Sequence, residues 1–190
     1  MKVKWLGHAC FLITSEQGLK VITDPYAVGQ GISYSPIKEE ADVVLVSHSH
    51  ADHNNVSAVR GKPEVIKGSG IRTAKGVQFR GVATYHDTSQ GKQRGTNTVF
   101  CFSLDGIRLC HLGDLGHLLS QVQISEVGAV DILFIPVGGF YTIDVAEASR
   151  VCAQLKPRIV IPMHFKTPQC TYPIAGVDDF LRNKENVKKM

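Results

Sequence analysis

Four side chains that bind transition metals well occur within six positions of this chain. They follow the apolar run Val43–Val46 in the order His48, His50, Asp52 and His53. Residues two apart on an extended backbone point the same way, so His48 and His50 can offer their imidazoles to one ion. Asp52 and His53 come where the chain should turn into a short helix, which moves their side chains to a neighbouring position. The spacing therefore predicts a metal site with room for two adjacent ions.

The simpler alternative is a group of surface histidines on a loop. A single histidine would favour that interpretation. Three histidines and one aspartate at the end of a buried strand do not, because clustered imidazoles repel one another when protonated and need a shared ligand to coexist.

Three more residues of ligand type lie at or near the ends of predicted strands. His86 follows the strand 77–85, Asp114 follows 108–112, and His164 follows 159–162. Considered singly, His86 could be a loop residue, Asp114 a turn former and His164 a buried imidazole. Side chains from several elements commonly converge on one site at a sheet edge, so together with the first cluster they are predicted to be ligands.

Five other residues have weaker claims. His8 is a buried structural histidine, a group beside the metals or a substrate contact, and His117 is either a loop residue or a cleft residue. Asp24 and Asp87 are candidate carboxylates for orienting metal-bound imidazoles, with turn formation as the alternative for both. His111 is expected to be buried and structural.

The elements that position these residues are mostly short strands. Turns at 16–18 and 105–106 predict hairpins, whereas a helix at 144–155 followed by the strand 159–162 predicts an α/β unit. The expected fold is therefore of the α+β type, with two mixed sheets covered by helices. The irregular segment 26–40 is either a flap over the site or a surface loop. Predicted strands cover residues 3–13, 19–23, 43–47, 77–85, 98–104, 108–112, 132–137 and 159–162.

Composition narrows the possible partners and cellular location. The 190 residues fit a single domain over 1–190, with 43% hydrophobic and 20% charged residues and a net charge of +4. Basic residues are spread along the chain, so we expect a small-molecule substrate and no nucleic acid. No apolar run approaches the ~18 residues of a membrane span. Five scattered cysteines without a CxxC pair favour a reducing cytoplasm. The sequence does not reveal the oligomeric state.

The order of these ligand-type residues is that of a known family. A His-x-His-x-Asp-His string, a lone histidine, an aspartate in a Gly-Asp turn and a final histidine resemble the metallo-β-lactamase fold superfamily of binuclear metallohydrolases. The resemblance extends over nearly the whole chain, from residues 7–9 to 162–165. Four segments (7–9, 23–25, 111–114 and 161–164) most resemble the branch that contains the L-ascorbate-6-phosphate lactonases.

The resemblance implies a four-layer αββα sandwich of two mixed β-sheets and two divalent metal ions. Zinc is the first expectation, with manganese or iron as alternatives, since nitrogen and oxygen ligands accept all three. The implied ligands of the first ion are His48, His50 and His86. Those of the second ion are Asp52, His53 and His164, and Asp114 bridges the two.

A pair of such ions can catalyse hydrolysis, which explains why the chain would need histidines and aspartates at these positions. Two ions ~3.5–4 Å apart can hold a bridging hydroxide at neutral pH and polarise a substrate oxygen. We therefore predict a hydrolase of a small ester, lactone or phosphoester, with Asp52 also orienting the hydroxide and accepting its proton. The alternatives are a phosphodiesterase or nuclease of the same fold, a non-catalytic metal-binding protein, and, ranked third, a di-iron oxidoreductase.

Overall fold

A computed structural model describes residues 1–182 and 184–189, in which the chain forms two β-sheets and three α-helices. The strands of the first sheet, side by side in this order, are β1 (Lys2–Gly7), β2 (Cys10–Thr14), β3 (Lys20–Thr23), β4 (Val43–Val46) and β5 (Glu64–Lys67). Those of the second sheet are β6 (Gly70–Ala74), β7 (Val77–Tyr85), β8 (Thr96–Leu104), β9 (Ile107–His111), β10 (Ile132–Pro136) and β11 (Ile159–Met163). The helices are α1 (Gln121–Val127), α2 (Val145–Leu155) and α3 (Asp178–Leu181).

Strand direction brings the ends of many strands to one rim of each sheet. In the second sheet, β7 and β9 both run antiparallel to β8, whereas β9, β10 and β11 are parallel to one another. In the first sheet, β1 and β3 both run antiparallel to β2, and β3, β4 and β5 are parallel. Both sheets are therefore mixed, as predicted, and most of their strands deliver the residues that follow them to the same edge.

The two sheets pack face to face through aromatic and aliphatic side chains. Phe11 and Leu45 of the first sheet share a buried cluster with Phe79, Phe100 and Phe134 of the second. The rings of Phe11 and Phe134 lie 4.6 Å apart between centroids. Full burial of one such side chain stabilises the fold by about 1.5–3 kcal/mol. This core fixes the two sheets relative to each other and so fixes the strand ends that carry the histidines.

The helices cover the outer face of the second sheet. Strand residues that alternate with the inward-facing ones, such as Val99 and Leu133, pack in a second cluster with Val151 of α2. Helix α2 begins where predicted, because the Asp144 carboxylate accepts a hydrogen bond from the Glu147 N–H at 2.8 Å.

The outer face of the first sheet is covered differently. In the described part of the chain this layer consists of the irregular segment 26–41, a 3-10 helix at Val56–Ala58 and the loop that contains Cys170 and Ile174, without an α-helix. The hydroxyl of Tyr26 lies 2.9 Å from the carbonyl oxygen of Leu6 and 2.7 Å from that of Ser35. Tyr26 and Ile32 are buried. The segment predicted as a flap or a surface loop is thus packed against the sheet.

The predicted fold class is confirmed, with three local errors. The predicted strand 3–13 is two strands, because Gly7 and His8 have positive φ angles and turn the chain. Strands β5 and β6 were missed because both are short edge strands with largely exposed side chains. Helices α1 and α3 were also missed, since they span only 7 and 4 residues. Within the described residues, no helix combines the length and apolar character needed to cross a bilayer.

Candidate metal centre

Three histidines from two strand ends form the first group of candidate ligands. His48 and His50 follow β4, and His86 follows β7. One ring nitrogen from each lies within 4.8 Å of the others. Nε2 of His48 is 3.1 Å from Nδ1 of His50, as expected for side chains two positions apart on one side of an extended chain. These nitrogens can share one ion at the ~2.0–2.1 Å typical of zinc–imidazole bonds.

The second group contains one residue more than the sequence predicted. Asp52, His53 and His164 come together as expected, and His8 joins them, all with ligand atoms within 4.8 Å of one another. Oδ2 of Asp52 lies 3.3 Å from Nε2 of His8 and 3.7 Å from Nε2 of His53. His164 reaches the group from the end of β11.

Asp114 lies between the two groups. Its Oδ2 is 3.1 Å from Nε2 of His86 in the first group and 3.3 Å from Nε2 of His164 in the second. Its backbone N–H donates to Oδ1 of Asn97 at 3.0 Å, which fixes the turn that follows β9. This is the location that a bridging carboxylate requires. All seven predicted ligands therefore come together, and their individual roles as ligands stay predictions.

The charges of the cluster are mutually dependent. Burial alone would raise the pKa of Asp114, but His164 and His53 beside it lower that pKa well below its usual range. Burial alone would lower the pKa of His53, but the neighbouring carboxylates of Asp114 and Asp52 raise it well above the ordinary value. Burial, reinforced by His53, lowers the pKa of His48 to about 3. His48 is therefore neutral near pH 7, the form in which imidazole binds a metal.

Two buried polar atoms at the centre have the chemistry of metal ligands and lack hydrogen-bond partners among the described residues. Nε2 of His53 and Oδ1 of Asp114 are 3.2 Å apart without the alignment of a hydrogen bond, and neither has another partner among the described residues. An unpaired buried polar group costs about 1–3 kcal/mol. Nitrogen and oxygen ligands of this kind suit Zn²⁺, Mn²⁺ and Fe²⁺. The residues present therefore fit divalent metal ions.

Asp24 orients the candidate ligands from behind. This is the first of the two roles considered for it from the sequence, the other being turn formation. Its carboxylate accepts hydrogen bonds from the N–H and the hydroxyl of Ser47, both at 2.7 Å, and lies 3.0 Å from Nδ1 of His53. The Ser47 hydroxyl oxygen is also 2.9 Å from Nδ1 of His48. Asp24 thus directs Nε2 of His53 towards the centre and holds the residue that precedes His48.

Replacing Asp24 with Asn is expected to weaken metal binding by about 10- to 100-fold, because the amide cannot accept all three contacts. Competition with a chromogenic zinc chelator measures the change. Asp178→Asn, which alters an exposed carboxylate in the first turn of α3, is the control and should bind zinc like the wild type. Equal affinity in all three proteins would show that Asp24 does not position the ligands.

Three non-glycine residues at this edge have left-handed backbone conformations. The φ angles are 53° for His8, 38° for Asp24 and 51° for His164. Such conformations are uncommon outside glycine and concentrate at functional sites. His8 is fully buried, and its Nδ1 has no hydrogen-bond partner among the described residues. Its contact with Asp52 favours a role beside the metals over that of a satisfied core histidine.

Gly116 permits the close approach that places His86. A Cβ at Gly116 would lie 2.3 Å from the backbone carbon of His86 and 2.4 Å from the N of Asp87. The Gly116 N–H also donates to the carbonyl of Tyr85 at 2.9 Å. The absence of a side chain at Gly116 therefore keeps the His86 strand end in place.

We expect Gly116→Ala to lower the free energy of unfolding by about 1–3 kcal/mol, because the added methyl group must displace backbone. Gly176→Ala is the matched control, since a Cβ at Gly176 meets nothing within 4 Å. Urea unfolding of the two variants and the wild type measures the difference. A stability equal to that of Gly176→Ala would mean that the His86 segment shifts without cost.

Asp87 does not orient an imidazole, and of its two interpretations turn formation is the one that the structure supports. Its carboxylate accepts four backbone hydrogen bonds, from the N–H groups of Ser89, Gly91, Gln93 and Arg94, at 2.7–3.0 Å. Burial alone would raise the pKa of Asp87, but these donors lower it to about 2. Asp87 therefore shapes the loop that follows His86.

The two remaining histidines are structural. His117 Nε2 accepts a hydrogen bond from the N–H of Tyr85 at 3.1 Å, while Nδ1 lies 2.8 Å from the carbonyl of Leu118, so it is a loop residue. His111 is buried as expected, with Nε2 3.0 Å from the carbonyl of Ala9.

A cavity of about 350 Å³ opens beside the histidine cluster. Residues 27–30 form one wall, so part of the irregular segment 26–40 does border the site. Tyr172 forms another wall and was not predicted, because it lies on a loop outside any predicted element. The lining includes Val28, Gln30, His50, Asp52 and Tyr172.

Comparison with known proteins agrees with this geometry. A family model described as "Beta-lactamase superfamily domain" matches residues 2–164. A UPF0173 metal-dependent hydrolase of Archaeoglobus fulgidus is 31% identical, with 94% of this chain and 87% of the relative covered. One from Pyrococcus abyssi is 32% identical over 88% of this chain and 85% of the relative.

A solved structure extends the comparison to three dimensions. A metallo-beta-lactamase superfamily protein from Thermotoga maritima is 40% identical, with a TM-score of 0.79 over 96% of this chain and 85% of that one. The finer resemblance to ascorbate-6-phosphate lactonases stays a prediction. The chain therefore belongs to the metallo-beta-lactamase superfamily, within a group of metal-dependent hydrolases.

Proposed function

We propose that this hydrolase holds two divalent metal ions and cleaves a small ester, lactone or phosphoester. The observation that carries the proposal is the position of Asp114 between two groups of ligand atoms, 3.1 Å from His86 and 3.3 Å from His164. A single ion would not need two groups joined by a shared carboxylate. Zinc is our first choice of metal, with manganese or iron as alternatives.

When bound, the two ions supply a water nucleophile of lowered pKa and polarise the oxygen of the scissile group. The chain's own residues hold and orient the reacting groups. His48, His50 and His86 would hold one ion. Asp52, His53 and His164 would hold the other, and Asp114 would touch both.

Asp52 is the best candidate for moving a proton. Its side chain is 16% exposed, and it lines the cavity in which substrate would bind. Its Oδ2 is 3.3 Å from Nε2 of His8, so its orientation is fixed from behind. We infer that Asp52 orients the attacking water and accepts its proton, while His8 positions the carboxylate.

The size of the cavity favours a small-molecule substrate. A volume of about 350 Å³ lies at the lower end of the range for small-molecule pockets. Two candidate ligands, His50 and Asp52, line the cavity. A polymeric substrate would need a longer groove.

The proposal is tested by hydrolysis assays on protein freed of metal and then loaded with zinc, manganese or iron. The substrates are 4-nitrophenyl acetate, γ-butyrolactone, 4-nitrophenyl phosphate, bis(4-nitrophenyl) phosphate and a short single-stranded RNA. We expect turnover of an ester, lactone or phosphomonoester that chelation abolishes and metal restores. Cleavage of the RNA or the phosphodiester alone would favour the nuclease alternative, and no turnover with any metal would favour a binding protein.

A further inference from the structure

Three side chains from separate loops form a row that starts at the histidine cluster. The ring of Tyr172 lies 5.9 Å from that of His8 and 5.8 Å from that of Tyr141. The guanidinium carbon of Arg94 lies 5.6 Å from the centre of the Tyr141 ring. The row therefore runs from the buried metal centre to a cation at its rim.

The backbone of Arg94 is held firmly beside the site. Its N–H donates to Oδ2 of Asp87 at 2.8 Å, and the next residue, Gly95, accepts a hydrogen bond from the N–H of His86 at 3.1 Å. Arg94 and the candidate ligand His86 thus belong to one loop that the Asp87 carboxylate organises. A fixed backbone lowers the entropic cost of using the side chain to bind a ligand.

The guanidinium of Arg94 is available for binding. Within residues 1–182 and 184–189, it makes no ion pair and no side-chain hydrogen bond, unlike Arg108 and Arg182, which pair with carboxylates. A cation–π contact with an aromatic ring positions a guanidinium without using its N–H groups. Such a group matches a carboxylate or phosphate with two parallel hydrogen bonds.

The surroundings of the row are apolar as well as cationic. Phe140 is 63% exposed and contacts Tyr141 edge to face, and Val28 on the cavity wall is 52% exposed. Exposed apolar side chains beside a cleft commonly mark a ligand-binding surface. Such side chains can pack against a hydrocarbon chain or ring. In a substrate, this part would connect an anionic group at Arg94 to the scissile bond at the metal centre.

We propose that Arg94, which lies over the ring of Tyr141, is a specificity subsite for a carboxylate or phosphate that the substrate carries away from its scissile bond. The connecting part of the substrate lies along Tyr141 and Tyr172. This inference rests on the proposed function only for the position of the scissile bond at the metal centre. It narrows the substrate class to anionic esters, lactones or phosphoesters.

Calorimetric titration of the zinc-loaded protein with dicarboxylates tests the subsite without requiring turnover. The series runs from malonate to suberate, and each member is compared with the monocarboxylate of the same chain length. One carboxylate can reach the metal centre and the second can reach Arg94. We expect one chain length to bind at least about tenfold more tightly than its monocarboxylate, a typical gain from a charged hydrogen-bonded pair.

Three variants make the result specific to Arg94. Arg94→Gln should abolish the preference for the dicarboxylate, and Arg94→Lys should retain part of it. Arg150→Gln, which removes an exposed cation from α2, should keep it in full. The zinc content and circular dichroism spectrum of each variant show whether it is folded and loaded, and Arg94→Lys remains informative if Arg94→Gln does not fold.

A wild-type protein without any preference for dicarboxylates, or an Arg94→Gln variant that retains it, would overturn the inference. Replacing one carboxylate of the best ligand with a phosphonate distinguishes the two anions, because tighter binding indicates a phosphate-bearing substrate and weaker binding a carboxylate. A protein that shows the preference but hydrolyses nothing would support the subsite and contradict the proposed activity.

Discussion

Replacing Asp114 with Asn is expected to reduce bound metal more than any other single conservative change in this protein, and to reduce turnover with it. The carboxylate is buried, and its two oxygens lie 3.1–3.3 Å from Nε2 of His53, His86 and His164. An amide cannot supply two anionic oxygens to two ions. We therefore expect turnover to fall by more than the roughly 10- to 100-fold that is typical when a partner of a ligand is lost.

Elemental analysis and turnover are measured together on Asp114→Asn, with Asp178→Asn as the control for loss of a carboxylate. The control should match the wild type in both. Because Asn keeps the shape of Asp and the contact of its backbone N–H with Asn97, circular dichroism should show that Asp114→Asn is folded. Two tightly bound ions and full activity in this variant would rule out a bridging role.

The second large effect is expected for Asp52→Asn. This residue borders the cavity, so the change should leave the fold intact while turnover falls by about 10²- to 10⁴-fold, the usual contribution of a proton-accepting group. The steady-state kcat of the metal-loaded variant measures the loss on whichever substrate the wild type turns over.

The amount of bound metal separates the two roles assigned to Asp52. Loss of kcat with nearly full metal content would support proton transfer, whereas loss of one ion would mean that Asp52 acts mainly as a ligand. An unchanged kcat would show that Asp52 does not accept the proton of the attacking water.

Most of the candidate site could be predicted because its residues lie at strand ends. The apolar strand β4 and the His48 to His53 string are adjacent in sequence, and His86 and His164 directly follow predicted strands. Parallel strands share an edge, so side chains at their ends meet without further information about the loops. The structure groups His48 with His50 and Asp52 with His53, as that reasoning predicted, but His48 also lies close to His53 in a third group with Asp114, so the division into two sets of ligands stays a prediction.

The missed features depend on contacts between distant parts of the chain. His8 reaches Asp52 because the chain turns at Gly7, inside an apolar run that resembles one continuous strand. The sequence left two interpretations open for Asp87, because it does not show that four backbone N–H groups of the following loop bind this carboxylate. Arg94 and Tyr172 lie on loops, where no periodicity indicates which way a side chain points.

Elemental analysis of the purified protein beside His50→Ala tests the central claim most directly. His50 is exposed at the mouth of the site, so its removal should leave the fold intact. His117→Ala is the control, because that ring contacts Tyr85 and the carbonyl of Leu118 and belongs to neither group of candidate ligands. We predict close to two zinc, manganese or iron ions per chain in the wild type and in His117→Ala, with a clear loss in His50→Ala. Less than one ion per chain after reconstitution, with no effect of His50→Ala, would contradict the dinuclear site and the hydrolytic function built on it.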